Sequence, residues 1–286
     1  MKTIDKAWSH PDAQRMPNFK FKSGHESPLV KVSSIYALNQ IVGYVKFLNK
    51  DKGHIFFRGQ PILYDTLLPS IYRGASRTDG RNAKIAEYIR AFSKQIPSLS
   101  GLGPLTTEAL LQHYGLKTRW IDLVDNLWIA LWFAIHEYNA RTHEVVYEKV
   151  IPKRDMSLPS YLILVFSDAL TPKLDCPGIL SSHSVNLIDL RKATPSIFLR
   201  PHCQHALLMK SSKMDKIEDV DLSKYVALII ELNSSLIKDW LGTGKLVTTD
   251  NIFPSPVYDH GYAMLLDNAP TKKEEYKAFG TITHIS

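Results

Sequence analysis

Apolar and polar positions change their rhythm midway along the chain. In the first half the apolar residues recur at helical spacing. Ile35, Leu38, Val42, Val45 and Leu48 form one stripe behind a cap at Ser33 or Ser34, stopped at Asp51-Lys52-Gly53. Residues 84–96 (KIAEYIRAFSKQI) form an amphipathic helix ended by Pro97, and Thr106 or Thr107 caps another, with Glu108 in its first turn and closure at Gly115. Asp125 or Asn126 caps LWIALWFAIHEY, residues 127–138, which is apolar on every side and therefore expected to be buried on every side. Residues 54–57 (HIFF) are a short apolar run expected as a buried strand, and residues 117–124 (KTRWIDLV) an extended link.

In the second half, residues 161–166 (YLILVF), 185–190 (VNLIDL), 205–209 (HALLM) and 225–232 (YVALIIEL) are runs of strand length rich in Leu, Ile and Val. A helix at 234–241 and a terminal strand in TITHIS follow. The succession predicts an α+β class: a single decorated domain over residues 31–286, with helices mainly in the first half and a mixed or antiparallel sheet mainly in the second. Residues 1–30 lack periodicity and are expected as an irregular N-terminal arm. Residues 139–159 are charged and contain Pro, and are expected as an inserted loop.

Composition narrows the class. The 286 residues are 44% hydrophobic and 22% charged, which excludes a disordered chain. Thirty-five basic against 28 acidic residues give +7, a bias that suits an anionic partner, nucleic acid included, without requiring one. Cys176 and Cys203 cannot make a disulfide framework, and the first residues lack the apolar core of a secretory signal, so the expected compartment is the cytoplasm. The longest apolar run, residues 127–135, is far short of the ~20 residues that cross a bilayer, and no membrane partner is expected.

Several motifs fail on inspection. Gly242-Thr243-Gly244-Lys245 is followed by Leu246 rather than Ser or Thr, and Asp239 stands where a phosphate loop needs its first Gly. His136-Glu137 begins a zinc-protease motif, but Ala140 replaces the second His. Gly101 and Gly103 lack the third Gly of a dinucleotide fingerprint. On a strand, Cys203 and His205 would share one face and His202 the other, which argues against a metal site. No metal and no required cofactor are expected.

What remains is two blocks, residues 56–73 (FFRGQPILYDTLLPSIYR) and 110–138 (LLQHYGLKTRWIDLVDNLWIALWFAIHEY). Arg58 ends an apolar strand beside Gly59 and Gln60, where a guanidinium can grip a carboxylate or pyrophosphate in bidentate fashion. Pairing with Asp122 is the equally weighted alternative. His113 and Tyr114 end a helix, and Thr118, Arg119 and Asp122 lie on the link into the next one, a plausible pocket wall. Structural readings stand beside these: Asp122 pairing with Arg119, and His113 capping its own helix.

These blocks resemble the FRG domain family, named for its Phe-Arg-Gly motif. In the second block Gln112, His113, Gly115, Thr118, Arg119, Asp122, Ala130, Leu131, Phe133 and Ala134 match the family pattern, while Lys117, Trp120, Ile121 and Leu123 depart from it. Residues 198–212 carry a further likeness at Gln204, and residues 241–255 another ending at Phe253-Pro254, so the likeness spans roughly residues 34–260. The resemblance implies a bacterial or phage protein of the kind found among phage-defence and toxin-like genes, without an established reaction.

The order of Arg58, the Thr118-to-Asp122 segment with its Ala130/Phe133/Ala134 helix, and Gln204 is also similar to ADP-ribosyltransferases. That likeness implies NAD as substrate, with Arg58, Gly59 and Gln60 at the phosphates and Tyr114, Thr118 and Arg119 as further ligand contacts. His113, Asp122, Gln204 or Glu231 would act at the reacting centre, as an ADP-ribosyltransferase or NAD glycohydrolase. The alternatives are a non-catalytic module for nucleic acid or a phospho-ligand, and a metal-independent nuclease using His113 and Arg119.

Overall fold

The computed structural model describes residues 1–286 except 6, 7, 76, 97, 98, 100, 142–146, 154, 175, 269–278, 281, 283 and 286. The first elements are β1 (Ala13–Lys20), β2 (Glu26–Val32), α1 (Ile35–Asn49), β3 (His54–Gln60), α2 (Asp79–Gln95), α3 (Pro104–His113), β4 (Ile121–Val124) and α4 (Leu127–Ala134). Next come β5 (His136–Arg141), β6 (Tyr147–Pro152), β7 (Pro159–Ser167), β8 (Thr171–Pro172), β9 (Ile179–Ser181), β10 (Val185–Asp189), α5 (Leu190–Ala193), α6 (Arg200–Cys203) and β11 (Ala206–Ser211). The chain ends with α7 (Ile217–Val220), β12 (Val226–Asn233), α8 (Ser234–Trp240), α9 (Thr249–Ile252), α10 (His260–Asp267) and β13 (His284–Ile285).

The class is α+β. Among the described residues ten strands form one mixed sheet in the order β1-β2-β12-β7-β3-β4-β11-β10-β9-β8. β12 runs parallel to β2, and the other pairings are antiparallel. α1, α4 and α8 cover one face over Phe57, Leu164 and Ile230, while Phe56, Ile163, Val165 and Ile229 fill the core on the other. A third core joins α2, α3 and α10 to the α3-facing side of β11 through Ala206 and Leu208.

Five expectations change. The N-terminal arm is a β-hairpin over residues 13–32, because Val30 and Val32 reach the core and β2 is extended by β12. α3 starts at Pro104, behind Gly103, rather than at Thr106 or Thr107. Pro fits the first helical position because its missing N–H has no partner there in any case. The helix at 127–138 ends at Ala134, and the inserted loop is a second hairpin, β5 with β6, whose tip lies outside the described residues. Residues 84–96 belong to a helix that already begins at Asp79, and the terminal strand is described at His284–Ile285, paired with β6.

Candidate functional site

β3 and β4 are adjacent in the sheet but share one ladder pair, Phe57 with Val124. Beyond it β3 continues along β7 through Gln60, while β4 follows β11. The strands splay, and a cleft of about 660 Å³ opens in the split, inside the usual size range of small-molecule sites. Arg58 bridges the gap by donating from Nη1 to the Asp122 carbonyl oxygen at 2.8 Å.

Local sequence aims the remaining groups. α3 ends in a Schellman motif: Gly115, at φ 115°, donates to the Gln112 carbonyl and Leu116 to the Leu111 carbonyl. That turn carries Gln112 and His113 to the rim. The Thr118 hydroxyl donates to Gln112 Oε1, and Gln112 Nε2 in turn donates to Asp122 Oδ2 at 2.9 Å. His113 Nδ1 lies 4.0 Å from Asp122 Oδ1. The Asp122 side chain is 51% exposed into the cleft. Desolvation works against its charge, yet the neighbouring His113 ring, the Arg58 guanidinium and the Gln112 amide together hold its carboxyl below the ordinary 3.8.

A carboxyl that titrates lower in the folded than in the unfolded state stabilises the fold above its unfolded pKa, and this contribution is lost as pH falls through the folded value. Asp122→Asn is therefore expected to flatten the pH dependence of Tm between about pH 5 and 3 relative to the parent. Calorimetry across that range checks it, and parallel curves would refute it.

Of the residues expected at a site, Arg58, Gly59, Gln60, His113, Asp122 and Gln204 line the cleft. Three expected ligand contacts stand behind its wall instead. Tyr114 is buried and donates its hydroxyl to Asp259 Oδ2 at 2.6 Å. Thr118 orients Gln112. Arg119 is clamped by the fully buried Glu108, with Nε to Oε1 at 2.7 Å and Nη2 to Oε2 at 2.6 Å. The sequence places a cation eleven residues from an acid on an apolar helix, and the fold turns that into a buried ion pair.

Glu231 is not a cleft residue. It sits on β12 in the cross-sheet row Gln60, Tyr161, Glu231, Lys31, with Oε1 3.7 Å from Lys31 Nζ. Its strand is separated from β3 by β7. His202 and Cys203 lie in the short helix α6, and His205 follows it at φ 51°, pairing with Asp125 at 3.0 Å, so the strand reading of this cluster gives way to a helix and turn. Among the described residues no three His, Cys, Asp or Glu side chains gather to hold a metal ion, both cysteines are free, and no helix is long and apolar enough to cross a membrane.

Gln112, Tyr64, His136, Glu137 and Phe253 also line the cleft without having been expected there, and so does Arg73, whose place in the first motif block suits an anionic ligand. His136 had been considered only as a failed zinc motif. Its signal is its place one turn beyond Trp132, against whose ring it stacks at 3.8 Å.

The cleft concentrates unmet hydrogen-bonding capacity. Arg58 Nε, Gln60 Oε1, His113 Nε2 and Trp120 Nε1 are buried and have no hydrogen-bond partner among the described residues. Each such atom costs about 1–3 kcal/mol unless something meets it. Burial pulls the Arg58 pKa down; Asp122 opposes this and the neighbouring Arg73 guanidinium adds to it. Two guanidiniums thus face one space.

Residues 53–143 match the FRG domain family model. The match takes in β3, the α3 turn, β4 and α4, and thus both motif blocks, while the likenesses at residues 198–212 and 241–255 fall outside it. No curated protein and no solved structure matches the chain.

Proposed function

We propose that the cleft built largely by residues 53–143, the segment that matches the FRG domain family model, binds a phosphorylated nucleotide, NAD in the first instance, and acts on it as ADP-ribosyltransferases and NAD glycohydrolases do. The observation that carries this reading is the pair of guanidiniums, Arg58 and Arg73, at a cleft whose buried Arg58 Nε, Gln60 Oε1 and His113 Nε2 lack protein partners. A phosphate group would take the Arg58 donor and answer the repulsion between the two cations. Asp122 is ionised, reachable and oriented by Gln112 and His113. It supplies the negative charge that stabilises a ribose carbon as nicotinamide departs. Gln204, 5% exposed and tied through Nε2 to the Ile252 carbonyl, shapes the end near Phe253. No cofactor is required for that chemistry, NAD being the substrate. In a bacterial or phage setting the activity would suit a defence or toxin-like effector.

The test is titration with NAD and product analysis by mass spectrometry. Arg73 is exposed, so Arg73→Ala leaves the fold intact. It is expected to weaken NAD binding about tenfold, the loss of one exposed charge-assisted contact. Equal affinities, or no released nicotinamide with the parent protein, would count against binding and reaction respectively.

A further inference from the structure

A second cavity of about 460 Å³ adjoins the cleft and shares four lining residues with it: Arg58, Gln60, Tyr64 and Arg73. We infer that this cavity is a second subsite for the same ligand, which straddles the shared wall with its anionic centre on Arg58 and Arg73. The inference rests on the proposed nucleotide binding and adds where the ligand's other half lies and what chemistry it has.

The wall carries the argument. Gln60 is 6% exposed with Oε1 unpartnered, and Arg58 Nε is likewise buried and unpartnered. Both sit on one face of β3, two residues apart, where the two cavities meet. Tyr64, 49% exposed at the same rim, offers a ring face to a flat group passing over it. A ligand confined to the main cleft would leave half of this wall unused.

The second cavity differs in character from the first. Its floor is apolar, with Leu67, Leu68 and Ile217, and two acids face it, Glu218 and Asp221. Asp221 is committed to the fold, since its Oδ1 accepts from the Leu67 and Ser223 backbone at 3.0 and 2.9 Å. Lys22 is paired with Asp65 at 2.9 Å. Glu218 is exposed and remains to accept from a ligand. Acids at this end repel a further phosphate and favour a neutral, hydroxyl- or amine-bearing end on a flat ring. The occupant is therefore the second nucleoside of a dinucleotide, with the pyrophosphate at the wall.

Binding of NAD, nicotinamide mononucleotide and AMP by calorimetry tests this. NAD is expected to bind more than about tenfold tighter than either mononucleotide. Thr66→Trp, which fills the second cavity, is expected to remove that advantage while leaving the mononucleotide in the main cleft within about twofold. Glu218→Gln, on an exposed side chain that puts folding at no risk, is expected to weaken NAD alone, by about threefold. If NAD binds no tighter than the better mononucleotide, or both variants weaken all three ligands equally, the second subsite is wrong, while an Arg73→Ala effect on all three would keep the first reading standing. If no nucleotide binds, both fall together.

Discussion

Replacing Glu108 by glutamine is expected to cost the fold about 3–5 kcal/mol, the range found when one partner of a buried ion pair is removed. Glu108 is fully buried on α3 and pairs with two cations, Arg119 and Lys210. Its carboxylate accepts from Arg119 Nε, Nη2 and backbone N–H, and lies 3.7 Å from Lys210 Nζ. Lys210 stands over the Trp120 ring at 4.6 Å, and burial brings its pKa down to about 8 even with the carboxylate beside it. The glutamine variant keeps the shape and leaves the buried Lys210 ammonium and the partly exposed Arg119 guanidinium without their anion. Denaturant unfolding measures the loss, and a change below about 1 kcal/mol would show the cluster to be dispensable. Methionine at 210 in the same background should recover part of the loss, since it removes one of the two stranded charges. The damage should also reach the cleft, because Arg119 is anchored three residues before Asp122.

Gly59→Ala is expected to destabilise by about 3 kcal/mol, at the upper end of overpacking changes. A methyl on Gly59 would lie 1.8 Å from the Ala130 carbonyl oxygen and 2.7 Å from the Ala134 nitrogen. Both are backbone atoms of α4, so no side chain can swing aside and the helix itself must lift from β3. Ala130→Gly would not rescue the variant, because the clash is with a carbonyl rather than a methyl. Thermal unfolding of the single and double variants checks both statements; a Gly59→Ala protein with the parent's Tm would mean that the helix rides further from the strand.

That same contact shows what was legible in the sequence and why the rest was not. The helical stripe of α1, the buried strand of β3 and the Leu/Ile/Val runs of β7, β10, β11 and β12 are local patterns, and they appear where the periodicity puts them. Gly59, expected beside a ligand, also has a packing role: it lets the backbone of α4 approach β3. The two alanines that match the family pattern, Ala130 and Ala134, are the other side of that approach. Arg58 was weighed evenly between gripping an anion and pairing with Asp122. It reaches the Asp122 carbonyl and keeps Nε unpartnered toward the cleft. Arg119 could not be sorted from Arg58 by sequence, since both flank apolar segments. Only the packing of α3 against the link decides that one meets Glu108 and the other open space. The strands of the first residues escaped notice because β1 and β2 are half exposed, and the pairing of β2 with β12 joins residues far apart in the chain.

The seam between β3 and β4 has a bearing on how the chain comes together during synthesis. The family segment, residues 53–143, holds two strands whose long partners lie outside it: β3 pairs with β7 and β4 with β11. Within the segment they meet at one residue pair, so the nascent segment leaves the ribosome with two strand edges uncovered. At about 5–20 residues per second, β12, which joins the N-terminal hairpin to β7, emerges roughly ten to thirty seconds after β3. The two strands that flank the cleft thus gain their long partners only from β7 and β11, which are made after the segment that carries them.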